Sequence, residues 1–349
     1  MPPRTPSDNG PSRYLKQMRV AAIGKVGQDA IGNASALLVG VGALGTLIAD
    51  QLVRAGVGRV RLADRDLVER TNLQRQTLYT EADAEAAAPK AIAAADRLRL
   101  ANSEVAIEPF VEDVTPANIE RLADGCDLLI DGTDNLETRY LLNDLAWASD
   151  RPWVYGGCVG TLGQAAAFVP GRTPCWRCLF PEPPPPDAMP TCDTAGVLGP
   201  SVHLVASIES ALALRLIVDG RDAVEPAMTI ADPWEGVFRR IELARPVADC
   251  PCCKRGERDW LRGERAAVAV TLCGRNAVQI AAVSAFDLDA TAERLRTEGE
   301  IEAGRFLVRW RPAERPGWTV TLFRDGRTIV EGTEDIAAAR SLHAKFIGA

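Results

Sequence analysis

Apolar runs and helix-period segments alternate along the first two thirds of the chain. ALLVGVGALG (36–45) is an apolar run ending in glycines, and TLIADQLVRAG after it has helical spacing. VRLAD (60–64) predicts a second strand, APKAIAAADRLRLAN a helix, VAIEPFV (105–111) a strand, PANIERLA a helix and CDLLIDG (126–132) another strand. PWVYGG (152–157) and QAAAFVP (164–170) add two more. Residues 13–34 carry scattered apolar positions and predict a helix ahead of the first strand. SVHLVASIESALALRLIVDG (201–220) predicts a long apolar helix with Gly220 near its end. Strands alternating with helices predict an α/β protein with a doubly wound, mostly parallel sheet.

PEPPPPDAMP (181–190) is incompatible with regular structure, because proline lacks the N–H and fixes φ, so an exposed crossing loop is expected there. The pattern changes after Cys253. Residues 256–264 read as a linker between a domain over 13–255 and a small α+β domain over 265–349. The latter shows a strand (AVAVTLC), a helix (DATAERLRTEG), three strands (FLVRWRP, TVTLF, TIVEG) and a final helix (IAAARSLHAKFI). Residues 1–12 are polar and proline-rich and are expected to be disordered.

Gly40-Val41-Gly42-Ala43-Leu44-Gly45 is a G-x-G-x-x-G between a predicted strand and a predicted helix, the Rossmann-like arrangement in which backbone N–H groups meet phosphates. By itself it fits NAD, FAD and ATP equally. Asp64 ends the next strand at the distance where an acid holds ribose hydroxyls, and Asp66 follows two residues on. Thr71-Asn72-Leu73-Gln74-Arg75-Gln76 then separates the options. A dehydrogenase has no need of an arginine there, whereas nucleotidyl transfer builds negative charge on a triphosphate and needs cations. Lys90 supplies a second cation at a helix start. Asp131-Gly132-Thr133-Asp134-Asn135 ends another strand, where a carboxylate can hold Mg²⁺ alongside phosphates. An NAD-dependent oxidoreductase and a non-catalytic docking scaffold on a degenerate nucleotide fold are the alternatives. The first leaves the NLQRQ segment unexplained.

With these residues in place, residues 13–253 resemble the ThiF/MoeB family of sulfur-carrier adenylyltransferases, relatives of ubiquitin-activating enzymes. The resemblance implies that Gly42, Asp64, Asn72, Arg75 and Lys90 contact ATP and that Asp134 supports Mg²⁺. It implies activation of a small ubiquitin-like sulfur-carrier protein with a Gly-Gly C-terminus, a separate persulfide donor and a homodimer. Arg13-Tyr14-Leu15-Lys16-Gln17 is similar to the family's R-Y-x-R-Q segment, whose second arginine reaches ATP in the neighbouring subunit. Lys16 stands at that position, keeping the charge without the bidentate fork. Arg13 is the alternative to Lys16 for that contact.

Two C-x-x-C pairs, Cys175/Cys178 and Cys250/Cys253, suit a closed tetrahedral Zn²⁺ site tying the chain across the long helix. A thioredoxin-type redox pair is the rival, and Cys252 is a spare thiol. The family carries paired zinc ligands at these places, and its cysteine matching Cys192 forms the acyl or persulfide link. Cys126, Cys158 and Cys273 read as small buried hydrophobes. His203 is expected to be packed or capping, and Trp147 and Trp153 core.

Charge and length narrow the class further. The 349 residues carry a net charge of −7, which argues against general nucleic-acid binding. No continuous apolar run has the length of a membrane span, and the N-terminus has no apolar stretch of signal type, so a cytoplasmic protein is expected.

Overall fold

The computed structural model describes residues 12–348 except 185–191, 266–268, 273–275, 281–284 and 305. The expectations for the N-terminal segment, most of the proline-rich loop and the Cys273 turn fall largely or wholly outside the described residues, as does the side chain of Cys192.

The N-terminal domain begins with two helices, α1 (Leu15–Met18) and α2 (Gly24–Asn33), where a single helix was expected. Turns separate them, and Gly24 takes a left-handed φ of 57°. β1 (Ser35–Val39), α3 (Ala43–Ala55) and β2 (Arg59–Ala63) follow. Next come α4 (Glu81–Glu85), α5 (Lys90–Ala101), β3 (Ala106–Phe110), α6 (Ile119–Ala123), β4 (Leu128–Asp131), α7 (Leu136–Ser149), β5 (Trp153–Val159) and β6 (Leu162–Phe168). α8 (Trp176–Leu179), α9 (Cys192–Ala195), α10 (Gly199–Asp219), β7 (Ala227–Asp232) and β8 (Val237–Glu242) complete the domain.

The eight strands form one sheet in the order β3-β2-β1-β4-β5-β6-β7-β8. The first five are parallel and the last three antiparallel. The order reverses between β1 and β4, which opens a crevice at the carboxyl ends of those strands. β7 and β8 were not expected. β8 is an edge strand, VFRRIE, with its side chains largely exposed, so burial imposes no alternation on it.

Each face of the sheet buries a core. One gathers Leu38, Ile48, Leu52, Leu98 and Val205 under α3, α5 and α10. The other gathers Tyr140, Trp153, Phe168 and Trp176 with α6 and α7. Cys126 and Cys158 are buried as expected. By length and composition α10 would pass as a membrane span, a feature the sequence pattern was expected to lack. Here it is the core helix packed on β5, β6 and α3. His203, expected to be packed or capping, is exposed on α10.

The segment read as a linker runs as turns along the N-terminal domain. Trp260 in it is buried, stacks on Tyr140 at 4.9 Å, and its backbone N–H donates to Asp144.

The C-terminal domain has a six-stranded antiparallel sheet ordered β11-β12-β13-β14-β10-β9. In chain order its elements are β9 (Ala269–Leu272), β10 (Ala277–Ile280), α11 (Leu288–Leu295), β11 (Gly299–Ala303), β12 (Leu307–Pro312), β13 (Thr319–Phe323), β14 (Thr328–Glu331) and α12 (Ile336–Phe346). β10 and β11 are additions to the expected strands. β11, GEIEA, is another charged edge strand.

Candidate active site

The glycine loop between β1 and α3 lies at the point where the strand order reverses. Gly40 has φ 85°, and a Cβ there would come within 2.8 Å of the Gly132 carbonyl and 2.9 Å of Thr133 Cγ2. A Cβ on Gly45 would run into the Gly40 carbonyl. These two glycines are required by the fold itself. Gly42 is different, because a Cβ there would meet nothing nearer than Gln76 Nε2 at 3.9 Å. The open space over Gly42, at the N-terminus of α3, is where a phosphate can approach backbone N–H groups.

Two hydrogen bonds clamp the loop. The Val41 N–H donates to Asp64 Oδ2 (2.6 Å), and Tyr79 Oη donates to the Val41 carbonyl (2.6 Å). Asp64 is buried just past β2, and its Oδ1 accepts from the Asp66 N–H (2.7 Å). Burial raises the Asp64 pKa while Lys90 opposes the rise. A carboxylate keeps further lone pairs after accepting two N–H groups, so Asp64 can also take ribose hydroxyls. Lys90 is buried at the start of α5 and places Nζ 3.1 Å from Asp66 Oδ2.

The 71–76 segment forms the next wall. Asn72 is buried, and its Oδ1 accepts from the Glu69 N–H (3.0 Å), closing a reciprocal cap on a single helical turn. Gln74 is exposed, and its carbonyl approaches Gly199 at the start of α10. Arg75 is half-buried and donates to the Thr71 carbonyl (3.0 Å).

The Asp131–Asn135 loop forms the opposite wall. Asp131 is fully buried and pairs with Arg139 (2.8 Å), which also donates to the carbonyls of Thr133 and Gly156. Burial works against the Arg139 charge, but Asp131 outweighs it and holds the pKa above the usual arginine range. Asn135 caps α7 by accepting from the N–H groups of Glu137 and Thr138. Asp134, between the buried frame and the cap, is exposed. Gly132 and Thr133 lie against Gly40 of the glycine loop, and Gln76 is the nearest group to the space over Gly42. Arg75 and Asp134 are therefore each one residue from a group that borders the same loop.

Cys192 opens α9, which packs on β5, and the Gly160 N–H donates to the Gly196 carbonyl (2.9 Å). This fixes the segment at the carboxyl end of β5, the same end as the glycine loop. Arg13 and Lys16 stand elsewhere within the chain. Arg13 donates to the carbonyl of Ala101 at the far end of α5 (3.0 Å), about 17 Å of helix away from Lys90. Lys16 is exposed on α1.

The Sγ atoms of Cys175, Cys178, Cys250 and Cys253 all lie within 4.8 Å of one another. The 175–250 and 178–253 separations are both 3.5 Å, and the 175–178 separation is 3.8 Å. Four thiolates about 2.3 Å from one tetrahedral ion stand about 3.8 Å apart, so the donor set fits a closed metal site. Cys252 is outside the four. Its Sγ accepts from Asn143 Nδ2 (3.2 Å) and from Arg258.

Sequence reasoning missed Gln76, Tyr79 and Arg139. Gln76 is buried with Oε1 unpartnered among the described residues, and it lay within the recognised segment. Tyr79 and Arg139 act through contacts that no local pattern encodes.

A glycine loop at the switch point of a parallel sheet, walled by an arginine-bearing segment and a carboxylate-bearing loop, defines a nucleotide-binding α/β enzyme. The chain belongs to the ThiF family, whose model matches residues 14–252, and it is an adenylyltransferase. It is 43% identical over 344 residues to the sulfur carrier protein ThiS adenylyltransferase of Bacillus subtilis, covering 96% of this chain and 99% of that one. It is 39% identical over 246 residues to a sulfur carrier protein adenylyltransferase of Thermus thermophilus, covering 69% of this chain and 90% of that one. E. coli MccB solved with ATP shares the fold, with a TM-score of 0.59 and 19% identity over 69% of this chain and 74% of that one.

Proposed function

We propose that this chain transfers AMP from ATP to the C-terminal carboxylate of a small ubiquitin-like sulfur-carrier protein ending in Gly-Gly. The carboxylate oxygen attacks the α-phosphorus, the bond to the β-phosphate oxygen breaks, and pyrophosphate leaves. The nucleophile is already an anion, so no base is needed. That agrees with a crevice whose described walls are rich in Arg, Lys and Asp and carry no histidine. Catalysis then rests on positioning and on stabilising charge.

In this scheme the loop over Gly42 receives phosphates, Asp64 takes the ribose, and Asn72, Arg75 and Lys90 face the triphosphate. Asp134 holds Mg²⁺, which neutralises phosphate charge when bound. The four cysteines hold a structural Zn²⁺. Cys192 is the thiol that receives the activated acyl group, its sulfur displacing AMP to give a thioester, and a separate persulfide donor supplies sulfur. A homodimer is supported by apolar side chains exposed on and between α1 and α2, Val26 at 83% and Val20 at 51%. Pairing there would let Arg13 or Lys16 approach the neighbouring crevice.

One observation carries this assignment: the glycine loop packs against the Asp131–Asn135 loop, and the open space over Gly42 has Gln76 of the 71–76 segment as its nearest neighbour. The test is exchange of labelled pyrophosphate into ATP. Exchange that appears only with a Gly-Gly-ended carrier supports it. Exchange absent with every such carrier, or NAD binding in place of ATP, overturns it.

A further inference from the structure

The C-terminal sheet has two unlike faces. Val278, Val308, Trp310, Val320, Leu322 and Val330 pack with α11 and α12 and form that domain's core. Gln279, alternate to Val278 on β10, and Arg327, at the head of β14, meet the N-terminal domain instead. Gln279 Nε2 donates to Asp113 Oδ2 (3.0 Å), and Arg327 Nη2 donates to the Arg65 carbonyl.

Arg65 lies between two acids of the nucleotide crevice, Asp64 and Asp66. Its carbonyl and the Asp66 N–H belong to one peptide group, which is planar and sets the two on opposite sides. That N–H donates to Asp64 Oδ1 (2.7 Å), while Asp64 Oδ2 accepts from the Val41 N–H of the glycine loop (2.6 Å). Arg327 therefore grips one side of a peptide whose other side orients the Asp64 carboxylate. A hydrogen bond to the carbonyl also polarises the peptide and strengthens its N–H as a donor. The Asp66 carbonyl accepts in turn from the Lys90 N–H (2.9 Å).

The turn between β13 and β14 fixes Arg327. The Phe323 N–H donates to the Arg327 carbonyl (2.9 Å), and the Arg327 N–H donates to Asp325 Oδ1 (3.0 Å). The guanidinium lies 3.6 Å from the ring centre of Phe323 and pairs with Asp325 at 3.8 Å. The residue is 1% exposed, and a charged donor in such surroundings makes a strong bond to a carbonyl. Arg65 is held at a second point as well. Its Nη1 donates to Asp113 Oδ2 (2.8 Å), the oxygen that also accepts from Gln279.

We propose that Arg327 of the C-terminal domain is a positioning residue for nucleotide binding, a role that rests on Asp64 serving as the ribose acid of the adenylation reaction. By holding the Arg65 carbonyl it turns the Asp66 N–H onto Asp64 and presents that carboxylate to the ribose hydroxyls. Gln279 supports the same turn through Asp113. The C-terminal domain thus completes a site whose ligand-facing groups all lie in the N-terminal domain.

The test is calorimetric titration of ATP and of 2′,3′-dideoxyATP, each with Mg²⁺, into the full chain. The wild-type chain is expected to prefer ATP, because the dideoxy analogue leaves Asp64 without its hydroxyl partners. Arg327→Met is expected to shrink that preference by about fivefold or more, through weaker ATP binding with little change for the analogue. General damage to the fold would weaken both nucleotides alike, so a preference unchanged in Arg327→Met overturns the proposal even where ATP binds less tightly. If Arg327→Met does not fold, Gln279→Leu carries the same comparison. A wild-type chain that binds both nucleotides equally also overturns the proposal while leaving adenylation standing. A wild-type chain that binds neither overturns the adenylation reading and this role with it.

Discussion

Alanine at Gly42 and alanine at Gly40 are expected to separate ligand room from fold room within one loop. A Cβ on Gly42 meets nothing nearer than 3.9 Å, and its φ of −84° is not left-handed. Gly42→Ala is expected to change stability by less than about 1 kcal/mol. Gly40 has φ 85°, which costs an alanine roughly 1–2 kcal/mol. Its new Cβ also lies 2.8 Å from the Gly132 carbonyl, and such overpacking costs roughly 1–3 kcal/mol. Gly40→Ala is therefore expected to lose about 3 kcal/mol.

Urea unfolding with and without ATP reads both effects. Nucleotide at a hundred times its dissociation constant stabilises the native state by about 2.7 kcal/mol. If the Gly42→Ala methyl weakens ATP tenfold, that gain falls to about 1.4 kcal/mol, while stability without ATP stays near wild type. A Gly42→Ala protein that binds ATP normally, or one that loses as much intrinsic stability as Gly40→Ala, would refute the assignment of that space to phosphate.

Other outcomes follow from the same geometry. Arg75→Ala is expected to lower pyrophosphate exchange by about 10²–10³-fold with an unchanged melt, because among the described residues the side chain's one hydrogen bond is to the nearby Thr71 carbonyl. Metal analysis is expected to find one zinc per chain, and Cys250→Ser to lose it and more than about 4 kcal/mol of stability; a full-strength melt after complete chelation contradicts this. Glu209 is buried in α10 with neither oxygen hydrogen-bonded among the described residues, and burial first, then Asp131, raise its pKa well above the usual range despite Arg139. The native state then keeps a proton that the unfolded chain releases above about pH 4.3, so stability falls as pH rises from there toward the folded pKa. The slope is about 1.4 kcal/mol per pH unit, Glu209→Gln removes it, and an identical pH profile for that variant contradicts the protonated state.

The parallel core of the fold was legible because buried strands leave long apolar runs between helical periods. ALLV became β1 and LLID became β4 on that signal. Two of the edge strands, β8 and β11, were not legible. VFRRIE and GEIEA expose their side chains, and charge is what an edge tolerates. The break near Gly24 was hidden because a lone glycine is tolerated within a helical pattern. In the site, the glycines and the 71–76 segment stood out by residue type and spacing. The clamps did not. Tyr79 reaches Val41 across 38 positions, and Arg139 joins β4 to β5, so both depend on tertiary packing.

The most direct measurement is the intact mass of a Gly-Gly-ended carrier protein after brief incubation with this chain, ATP and Mg²⁺, with no sulfur donor present. The account predicts a carrier heavier by one adenylyl group, with label from α-phosphate-labelled ATP and none from the γ-position. A carrier of unchanged mass beside hydrolysed ATP, or one carrying the γ-phosphate, would contradict it.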